Sequence, residues 1–409
     1  MNDINHVVVI GQGYVGLPLS VRAAKSGFIV HGFDVDGAKV KELISGITKS
    51  PDVSKEDLIN LQKEKKLTFT VKMPSVPENS IYVIAVPTPL DSHNKPDLTF
   101  LSSACDLISS SVKENSLIIN ESTSYIGTLR TMIKPIIDSK SGLKKLKYAV
   151  APERIDPGNK LWGMENTPRV VSGITTESQT LAIDFYSKFC SNLYLVSKPE
   201  VAEAAKLFEN TFRQVNIALV NEFSLLTNEI GISSYEVINA AATKPFGFMP
   251  FYPGIGVGGH CIPVDPSYLS YSAEIAGVKA DFISLANKLN LSMAKTIAKR
   301  INAQFGGEII GKRIQIAGIA YKPNIADTRE SPALDLIKEL NSLGFIVSWH
   351  DPVVKSLNGE KSVPLDPSID LGLIVTPHSI IDFEIWKKNN TNVLDLSSSS
   401  ENYGWSKFF

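Results

Sequence analysis

The sequence has few cysteines, no long apolar run and almost no net charge, and each shortage excludes a class of protein. Only three residues of the 409 are cysteines: Cys105, Cys190 and Cys261. So sparse and odd a set is not a disulfide framework, and no Cys/His spacing is typical of a zinc site. No apolar run approaches the roughly 20 residues that span a bilayer, and the first residues do not have the pattern of a signal peptide. We therefore expect a soluble protein of the reducing cytoplasm.

The charge balance indicates what kind of partner the chain has. Forty-one Lys and Arg residues stand against 42 Asp and Glu residues, which gives a formal net charge of −1, and the two signs are interspersed. No basic cluster is present that could neutralise a phosphate backbone, so a nucleic-acid partner is not expected. A small anionic ligand needs only a few well-placed donors. The composition is therefore compatible with a small-molecule partner.

The first part of the chain alternates Val/Ile-rich runs with helical patterns. The runs are HVVVI, FIVHGFD, IYVIAVP, LIINEST and KYAVAPE, and each is bounded by Gly, Pro, Asn or charged residues. Continuous apolar runs of this length are typical of parallel strands buried on both faces. Strands separated by helices predict βαβ units and a doubly wound α/β sheet. We place this NAD-binding, Rossmann-like domain at residues 1–200.

Two further regions follow. The segment from about Val201 to Gly231 contains no Gly or Pro until its last residue, which predicts one helix of roughly 45 Å. A helix of that length can link domains and offer a face to a second subunit. A second alternating series, KRIQIAGIA, FIVSWHDP, LGLIVTP and TNVLDL, predicts another parallel sheet. We therefore expect a central helical domain at 201–305 and a smaller α/β domain at 306–409.

The segment GQGYVGLP directly follows the first predicted strand. It places Gly11, Gly13 and Gly16 in the G-x-G-x-x-G arrangement, in which the glycines allow a tight turn, close approach of a pyrophosphate and close helix–strand packing. The second predicted strand ends at Asp34, where a carboxylate can accept hydrogen bonds from a ribose 2′-OH. The alternative for Asp34 is a solvated loop carboxylate. Together these features favour NAD over NADP as the cofactor.

Two more loops come at the carboxyl ends of predicted strands, where open α/β sheets bind ligands. One loop contains Pro87 and Thr88, and the other contains Glu121, Ser122 and Thr123. These residues are candidates for cofactor contact. Prolines and hydroxyls at such positions can also serve only to shape turns.

The segment YPGIGVGGHCIPVDPSYL combines an unusual density of glycine with a cysteine. Four glycines precede Cys261, and Asp265 follows it. Glycine at this density outside a linker indicates close backbone approach. Cys105 and Cys190 have no such surroundings and are interpreted as small buried apolar residues. Cys261 is therefore the candidate nucleophile, and a thiol needs a nearby cation to become a thiolate at neutral pH.

Lys206, Asn210 and Arg213 can provide that polar environment. Their spacing of i, i+4 and i+7 puts them on one face of the long predicted helix. The alternative is a solvated polar stripe. Glu153 and Arg154 follow a predicted strand and could bind a ligand or form a surface ion pair.

A charged loop also follows the first strand of the second predicted sheet. It contains Lys322, Asp327 and Arg329. Such a loop is unremarkable by itself.

Seven segments together resemble the UDP-glucose/GDP-mannose dehydrogenase family. They occur in the family's order along the whole chain: GQGYVGLP, AVPTP, EST, APERIDPGN, the KLFEN helix, GVGGHCIPVDP and KPNIADTRES. The resemblance implies three domains, a homodimer or higher homo-oligomer built around the long helix, and a UDP-sugar as substrate. It also implies two successive oxidations, each of which consumes one NAD⁺.

The resemblance assigns a role to individual positions. Cys261 would attack the C6 aldehyde, Lys206 and Asn210 would stabilise the oxyanion, and Asp265 and Thr123 would organise water or act as acid and base. The cofactor contacts would be Gly11, Gln12, Gly13, Tyr14, Val15, Gly16, Asp34, Pro87, Thr88, Thr123 and Arg329. The substrate contacts would be Glu153, Arg154, Lys206, Asn210, Arg213, Tyr252, Gly254, Gly258 and Lys322.

Two segments bear on the choice of sugar. TKPFGFMPFYPG and ERIDPGN resemble enzymes that act on N-acetylhexosamines, in particular UDP-N-acetylglucosamine. Pro157 stands where the UDP-glucose enzymes have a second glutamate, so that glutamate's role is not carried over. Ile126 and Ala151 are smaller departures from the family pattern. We expect oxidation of UDP-N-acetylglucosamine to its uronic acid for surface polysaccharide synthesis, with UDP-N-acetylgalactosamine, UDP-N-acetylmannosamine and UDP-glucose as alternatives.

Two rival functions are compatible with part of this pattern. A two-electron dehydrogenase would have the glycine turn but would not need a nucleophilic cysteine. A non-catalytic binder of NAD or of a nucleotide sugar would need neither Cys261 nor Asp265. Replacing Cys261 by serine separates the three, since only a four-electron enzyme would lose acid formation.

Overall fold

The chain folds into two compact α/β units. The computed structural model describes residues 5–48, 50–156, 159, 161–259, 262–399, 401 and 403–409. The first unit comprises Met1–Phe208 with Ser267–Gly277, and the second comprises Glu209–Pro266 with Val278–Phe409. The division into three domains at 200 and 305 stays a prediction.

The secondary structure alternates strand and helix in both units. The strands are β1 (His6–Ile10), β2 (Ile29–Phe33), β3 (Leu67–Thr70), β4 (Ile81–Ile84), β5 (Leu117–Asn120), β6 (Lys147–Val150), β7 (Arg169–Gly173), β8 (Leu193–Leu195), β9 (Arg313–Ala317), β10 (Ile346–His350), β11 (Ser356–Leu357), β12 (Glu360–Lys361), β13 (Leu371–Ile374) and β14 (Val393–Asp395). The helices are α1 (Gly16–Lys25), α2 (Gly37–Ile44), α3 (Lys55–Lys63), α4 (Thr99–Ser111), α5 (Lys134–Ser141), α6 (Thr176–Tyr186), α7 (Pro199–Glu229), α8 (Ser234–Ala242), α9 (Asp265–Ile275), α10 (Asp281–Gln304), α11 (Pro332–Leu343) and α12 (Glu384–Lys388). A π-helical segment, Leu129–Ile133, runs directly into α5.

The first unit is built on one eight-stranded sheet in the order β3-β2-β1-β4-β5-β6-β7-β8. Valines of β1 alternate between two apolar cores: Val7 and Val9 pack on one side of the sheet and Val8 on the other. Burial on both faces explains why this strand is apolar throughout. The doubly wound α/β prediction is confirmed, and all five predicted strands are present.

The end of this sheet differs from the sequence prediction. The strands β1 to β6 are parallel to their neighbours, but β7 runs antiparallel to β6, and β8 is parallel to β7. Because β7 is reversed, its first residue, Arg169, lies at the same edge of the sheet as the carboxyl ends of β1 to β6. Strand direction depends on the path of the connecting segment, which apolar periodicity does not encode.

The second unit contains a smaller parallel sheet in the order β10-β9-β13-β14. One core covers the face that packs against α10 and α11, and the other covers the face that packs against Trp386 of α12. The two-residue strands β11 and β12 form a separate antiparallel pair. The prediction of a second Rossmann-like sheet is confirmed.

The long helix α7 confirms the predicted single helix and extends over 31 residues. It begins with Pro199, whose fixed φ suits a first helical turn, and it is followed closely by Gly231 at φ 74°. No helix within the described ranges is long and apolar enough to cross a membrane.

The two faces of α7 are unusual for a helix at the surface of a globular protein. One face is polar and buried, and it consists of Thr211, Gln214, Asn221, Ser224 and Thr227. The other face is an apolar stripe, exposed or half-buried, that consists of Phe208, Phe212, Val215, Leu219, Phe223 and Leu226. The usual arrangement is the reverse, with apolar residues inward.

Candidate active site

The turn after β1 has the geometry of a dinucleotide-binding turn. Gly11 has φ +93°, and a Cβ there would overlap the carbonyl oxygen of Ala85, which directly follows the neighbouring strand β4. A Cβ at Gly16 would overlap the backbone of Gly11, which explains the close packing of α1 on the sheet. Gly13, by contrast, is exposed and has open space around its Cβ position. The turn therefore leaves room for a pyrophosphate at the N-terminal end of α1.

Asp34 is the carboxylate that follows β2. Its Oδ2 accepts a hydrogen bond from the backbone N of Gln12 (2.8 Å) and an ion pair from Lys39 (2.9 Å), and its Oδ1 accepts from the N of Asp36 (3.0 Å). The side chain is almost fully buried. This carboxylate is thus fixed against the glycine turn rather than solvated, which is the position that suits a ribose hydroxyl. The Gln12 side chain points inward, where its Nε2 donates to the carbonyl of Val9.

The two hydroxyl-bearing loops lie side by side at the carboxyl edge of the first sheet. The sheet order reverses between β1 and β4, and the loop after β4 contains an exposed Pro87 and a buried Thr88. Ser122, after β5, joins the two loops because its hydroxyl accepts from the N of Val86 and lies 2.9 Å from the Val86 carbonyl oxygen. Half-buried Thr123 follows on this fixed backbone. The crevice at a strand-order reversal is where open α/β sheets bind ligands.

Glu153 lies in a buried charged cluster rather than in a surface ion pair. One carboxylate oxygen accepts from the backbone N of Arg154 and of Ile155, and the other pairs with Arg169. Arg169 also binds Glu121 at 2.8 Å. These three side chains are at least 93% buried and connect the loops after β5 and β6 with the start of β7.

Tyr186, at the end of α6, completes this cluster. Its hydroxyl donates to Glu121, and the Arg169 guanidinium stacks over its ring at 4.7 Å. Burial raises the pKa of Glu121 to about 7, although Arg169 favours the ionised form. Burial would lower the pKa of Arg169, but the two carboxylates outweigh it and raise that pKa well above its ordinary value. Arg169 therefore stays charged and holds both loops.

The described part of the cysteine loop is clamped on several sides within the second unit. A Cβ at Gly258 would come within 2.8 to 3.0 Å of Pro332, the carbonyl oxygen of Glu330 and Tyr321. The backbone N of Gly259 donates to the carbonyl of Arg329 at 3.3 Å. These close approaches explain the glycine density that the sequence shows. His260 and Cys261 lie outside the described residues.

Asn210 and Asp265 are brought together by the structure. The Asn210 Nδ2 donates to the Asp265 Oδ2 at 2.6 Å, and Asp265 is buried at the start of α9. Lys206, one turn earlier on α7, is 7% exposed, and the described residues provide it with no hydrogen bond or ion pair. Arg213 is exposed.

The charged loop of the second unit follows β9. Arg329 forms a bidentate pair with Asp327, with its Nη2 at 2.6 Å from the carboxylate, and its guanidinium is about half exposed. Lys322 is half-buried in the same loop. The backbone N of Asn324 donates to His378 Nδ1 at 2.8 Å, which ties the loop to the segment after β13. This loop is thus anchored at its centre while its cations remain accessible.

The aromatic residue predicted to touch substrate also has a defined position. Tyr252 is half-buried, stacks on Tyr235 with ring centroids 5.1 Å apart, and donates its hydroxyl to Asn239 at 2.7 Å. Its neighbour Gly254 is buried. Cys105 and Cys190 are buried free thiols, as expected, and burial raises the pKa of Cys105 to about 12.

Sequence reasoning missed three residues of this region. Arg169 and Tyr186 connect the predicted loops, and Asn221 binds the cysteine loop. The one local signal near Arg169 is Pro168, which directly precedes β7 and is typical of the start of a strand. No local motif marks Asn221, because its partner is distant in the sequence.

Three consecutive segments match one family. Residues 5–194 match the NAD binding domain of the UDP-glucose/GDP-mannose dehydrogenase family, residues 200–292 match its central domain, and residues 315–389 match its UDP binding domain.

Individual relatives resemble the chain over most of its length. A UDP-N-acetyl-D-glucosamine 6-dehydrogenase of Pseudomonas aeruginosa is 36% identical over 87% of this chain and 84% of that protein. A UDP-N-acetyl-D-mannosamine dehydrogenase of Methanocaldococcus jannaschii is 37% identical over 84% of this chain and 78% of that protein. The solved structure of a UDP-D-ManNAc dehydrogenase from Pyrococcus horikoshii superimposes with a TM-score of 0.85 at 29% identity, over 98% of this chain and 97% of that one.

Proposed function

Because the chain belongs to the UDP-glucose/GDP-mannose dehydrogenase family and is an NAD-dependent nucleotide-sugar dehydrogenase, we propose that it oxidises the C6 alcohol of UDP-N-acetylglucosamine to a carboxylate. The observation that carries the proposal is the 2.6 Å hydrogen bond from Asn210 to Asp265. Asn210 lies on the KLFEN helix, and Asp265 follows Cys261 by four residues in the sequence. A simple two-electron dehydrogenase would have no use for a cysteine at this point of the sequence.

The proposed reaction has two oxidations and one hydrolysis. In the first, the C6 hydroxyl loses a proton and a hydride, and an aldehyde forms. The Cys261 thiolate then adds to the aldehyde carbon, and the alkoxide of the resulting thiohemiacetal is stabilised by the Lys206 ammonium and the Asn210 amide. Loss of a second hydride gives a thioester. Water, oriented by Asp265 and Thr123, attacks its carbonyl carbon, the C–S bond breaks, and the thiolate is regenerated.

NAD⁺, when bound, accepts the hydride in each oxidation. The residues present fit this cofactor, since Gly13 leaves space for a pyrophosphate and Asp34 is fixed where a ribose hydroxyl would lie. A carboxylate at that place would repel a 2′-phosphate. Gly11, Gln12, Gly13, Tyr14, Val15, Gly16, Asp34, Pro87, Thr88, Thr123 and Arg329 are the proposed cofactor contacts.

The choice of sugar rests on the segments TKPFGFMPFYPG and ERIDPGN. Relatives named for UDP-N-acetyl-D-glucosamine and for UDP-N-acetyl-D-mannosamine are about equally similar, at 36% and 37% identity. The sugar is therefore proposed from the two segments and not from overall identity. The proposed substrate contacts are Glu153, Arg154, Lys206, Asn210, Arg213, Tyr252, Gly254, Gly258 and Lys322. Glu153 would act by shaping the backbone of its loop, because its carboxylate binds Arg169.

Two further features of the proposal concern the setting of the enzyme. The uronic acid would serve surface polysaccharide synthesis. The reaction would take place in the reducing cytoplasm, where Cys261 is not oxidised to a disulfide. The chain would act as a homodimer or higher homo-oligomer through the apolar stripe on α7 defined above, which a second copy could cover along the same face.

The test counts NADH formed per sugar consumed. Purified protein is incubated with NAD⁺ and, separately, with UDP-N-acetylglucosamine, UDP-N-acetylgalactosamine, UDP-N-acetylmannosamine and UDP-glucose. We expect two NADH per sugar, with the highest kcat/KM for UDP-N-acetylglucosamine. A higher value for another sugar would refute the substrate, and one NADH per sugar would refute the thioester mechanism.

Cys261→Ser is the mechanistic variant. It should abolish formation of the uronic acid, because a serine hydroxyl is a far weaker nucleophile than a thiolate. Cys105→Ala is the matched control, since Cys105 is buried in the core of the first unit and should leave the yield of two NADH unchanged. Equal acid formation by both variants would exclude Cys261 as the nucleophile.

A further inference from the structure

The start of the cysteine loop is held by a buried chain of side-chain amides in the second unit. Asn221 on α7 accepts a hydrogen bond from the backbone N of Gly254 at 2.9 Å and donates one to the Asn290 Oδ1 at 3.0 Å. Asn290 on α10 in turn donates to the carbonyl of Gln214 at 3.0 Å. Asn221 is fully buried and Asn290 nearly so.

The direction of every bond in this chain is fixed by its ends. At one end the Gln214 carbonyl can only accept, so the Asn290 amide nitrogen must point to it and the Asn290 oxygen must face Asn221. At the other end the Gly254 N–H can only donate, so the Asn221 oxygen must face the loop. Both amides therefore have one allowed orientation. A residue at 221 must supply an acceptor and a donor at the same time.

The Tyr235 hydroxyl of α8 lies between the preceding peptide and the segment after β14. It lies 3.2 Å from the carbonyl oxygen of Pro253 and 2.8 Å from that of Ser397. Further along the loop, a Cβ at Gly256 would lie 3.0 Å from the Asn290 carbonyl oxygen. The glycines have no side chains with which to anchor themselves. Their placement therefore depends on these external bonds.

We infer that Asn221 is a positioning residue that sets the path of the loop leading to Cys261. This inference rests on the proposed function, because it assigns Asn221 to the half of the reaction that uses the cysteine. Asn221 acts through the loop and not on the substrate. Its loss should impair the second oxidation and the hydrolysis, which need the cysteine, and leave alcohol oxidation largely intact.

The experiment measures both halves of the reaction in Asn221→Ala. We expect NADH per sugar to fall from two toward one, with a free C6 aldehyde that hydroxylamine can trap. The first oxidation should stay within about threefold of the original rate, while the rate of acid formation should fall tenfold or more. A merely destabilised enzyme would lose both activities together and would keep the yield of two.

Two other variants keep the test decisive if Asn221→Ala does not fold. Tyr235→Phe removes only the hydroxyl beneath Pro253 and should lower the NADH yield in the same direction. Asn221→Asp keeps the acceptor for Gly254 but donates to Asn290 only when protonated, so its yield should rise as the pH is lowered from 8 to 6. Asn216→Ala is the matched control, because Asn216 lies on the same helix and its side chain donates to the carbonyl of Phe212, within that helix.

Alkylation by iodoacetamide gives a readout that does not depend on turnover. Cys105 and Cys190 are buried, so modification reports on Cys261. Its rate should differ at least threefold between the original enzyme and Asn221→Ala. Folded Asn221→Ala and Tyr235→Phe with unchanged alkylation and two NADH per sugar would overturn the inference. Failure of the unmodified enzyme to form two NADH would refute the proposed function instead.

Discussion

The three glycines of the first turn have different physical reasons to be glycine. Gly11 has φ +93° and no room for a Cβ, and Gly16 packs on Gly11, whereas Gly13 is surrounded by open space. A sequence motif treats the three positions alike. The structure separates Gly13, where the fold would accept a Cβ, from Gly11 and Gly16, where it would not.

We expect Gly13→Ala to weaken NAD⁺ binding and Gly11→Ala to lower the stability of the fold. Gly13→Ala should change the free energy of unfolding by less than about 0.5 kcal/mol, while the added methyl should raise the KM for NAD⁺ about tenfold. Gly11→Ala should cost on the order of 2–4 kcal/mol of stability through strain and backbone overlap. Thermal unfolding and NAD⁺ titration of the two variants measure this. Equal destabilisation by both would contradict the separation.

The charged residues near the site show where sequence reasoning stops. Asp34 was predicted from its place at a strand end, and its bond to Gln12 agrees with the expected geometry. Glu153 was also predicted, but its partner Arg169 was not, because Glu153 follows β6 and Arg169 begins β7, and no local pattern encodes the antiparallel pairing of these strands. Lys206, Asn210 and Arg213 share a helical face, yet only the folded chain distinguishes the buried Lys206 from the exposed Arg213. The assigned roles stay predictions.

At the scale of elements, Glu203 of α7 caps the π-helical segment that leads into α5. Its carboxylate accepts from the backbone N of Gly127 at 2.6 Å and of Leu129 at 3.0 Å. Burial raises the pKa of Glu203 from 4.5 to about 7 in spite of these bonds. Glu200 and Arg130, which pair with each other nearby, act on it in opposite directions. The carboxyl group that joins α7 to the π-helical segment therefore changes its protonation near neutral pH.

This shift predicts a pH dependence of stability. Between pH 4.5 and 7 the folded chain keeps a proton on Glu203 that the unfolded chain has released, so the free energy of unfolding falls as the pH rises. Glu203→Gln has no such proton. The stability of the original protein relative to Glu203→Gln should therefore decrease by about 3 kcal/mol from pH 4.5 to 8. Urea unfolding at several pH values measures it, and a constant difference would show that Glu203 does not titrate in this range.

The strands and the long helix were largely predictable because apolar periodicity reports burial directly. All five predicted strands of the first sheet and the helix Pro199–Glu229 are present. Three strands of this sheet, β3, β7 and β8, were not predicted. The strands β3 and β8 have only four and three residues, which carry too little pattern. The division of the chain into two compact units, with a cut inside α7, also has no signature in the sequence, because a helix can belong to both units without any change in its periodicity.

At the scale of the whole molecule, the apolar stripe on α7 predicts self-association. Leu219 and Leu226 are 61% and 56% exposed, an arrangement that a lone globular chain avoids. Leu219→Asp with Leu226→Asp should convert the expected oligomer to monomers, because burying two carboxylates in an apolar interface is costly. Sedimentation velocity at micromolar concentration measures the change. Ile310→Asp is the control, because Ile310 is 98% exposed and lies outside α7. An unchanged sedimentation coefficient in the double variant would place the interface elsewhere.

The buried amide chain also constrains how this protein can evolve. Each amide of Asn221 and Asn290 satisfies the other, so a single replacement leaves a buried donor or acceptor without a partner. Apolar groups of matching shape at both positions would remove the donor and the acceptor of the bond between the two side chains together. The Gly254 N–H would still need an acceptor. The two positions should therefore show strong epistasis and change together among descendants. A sequence that loses both asparagines would also need a new acceptor for the Gly254 N–H at the start of the cysteine loop.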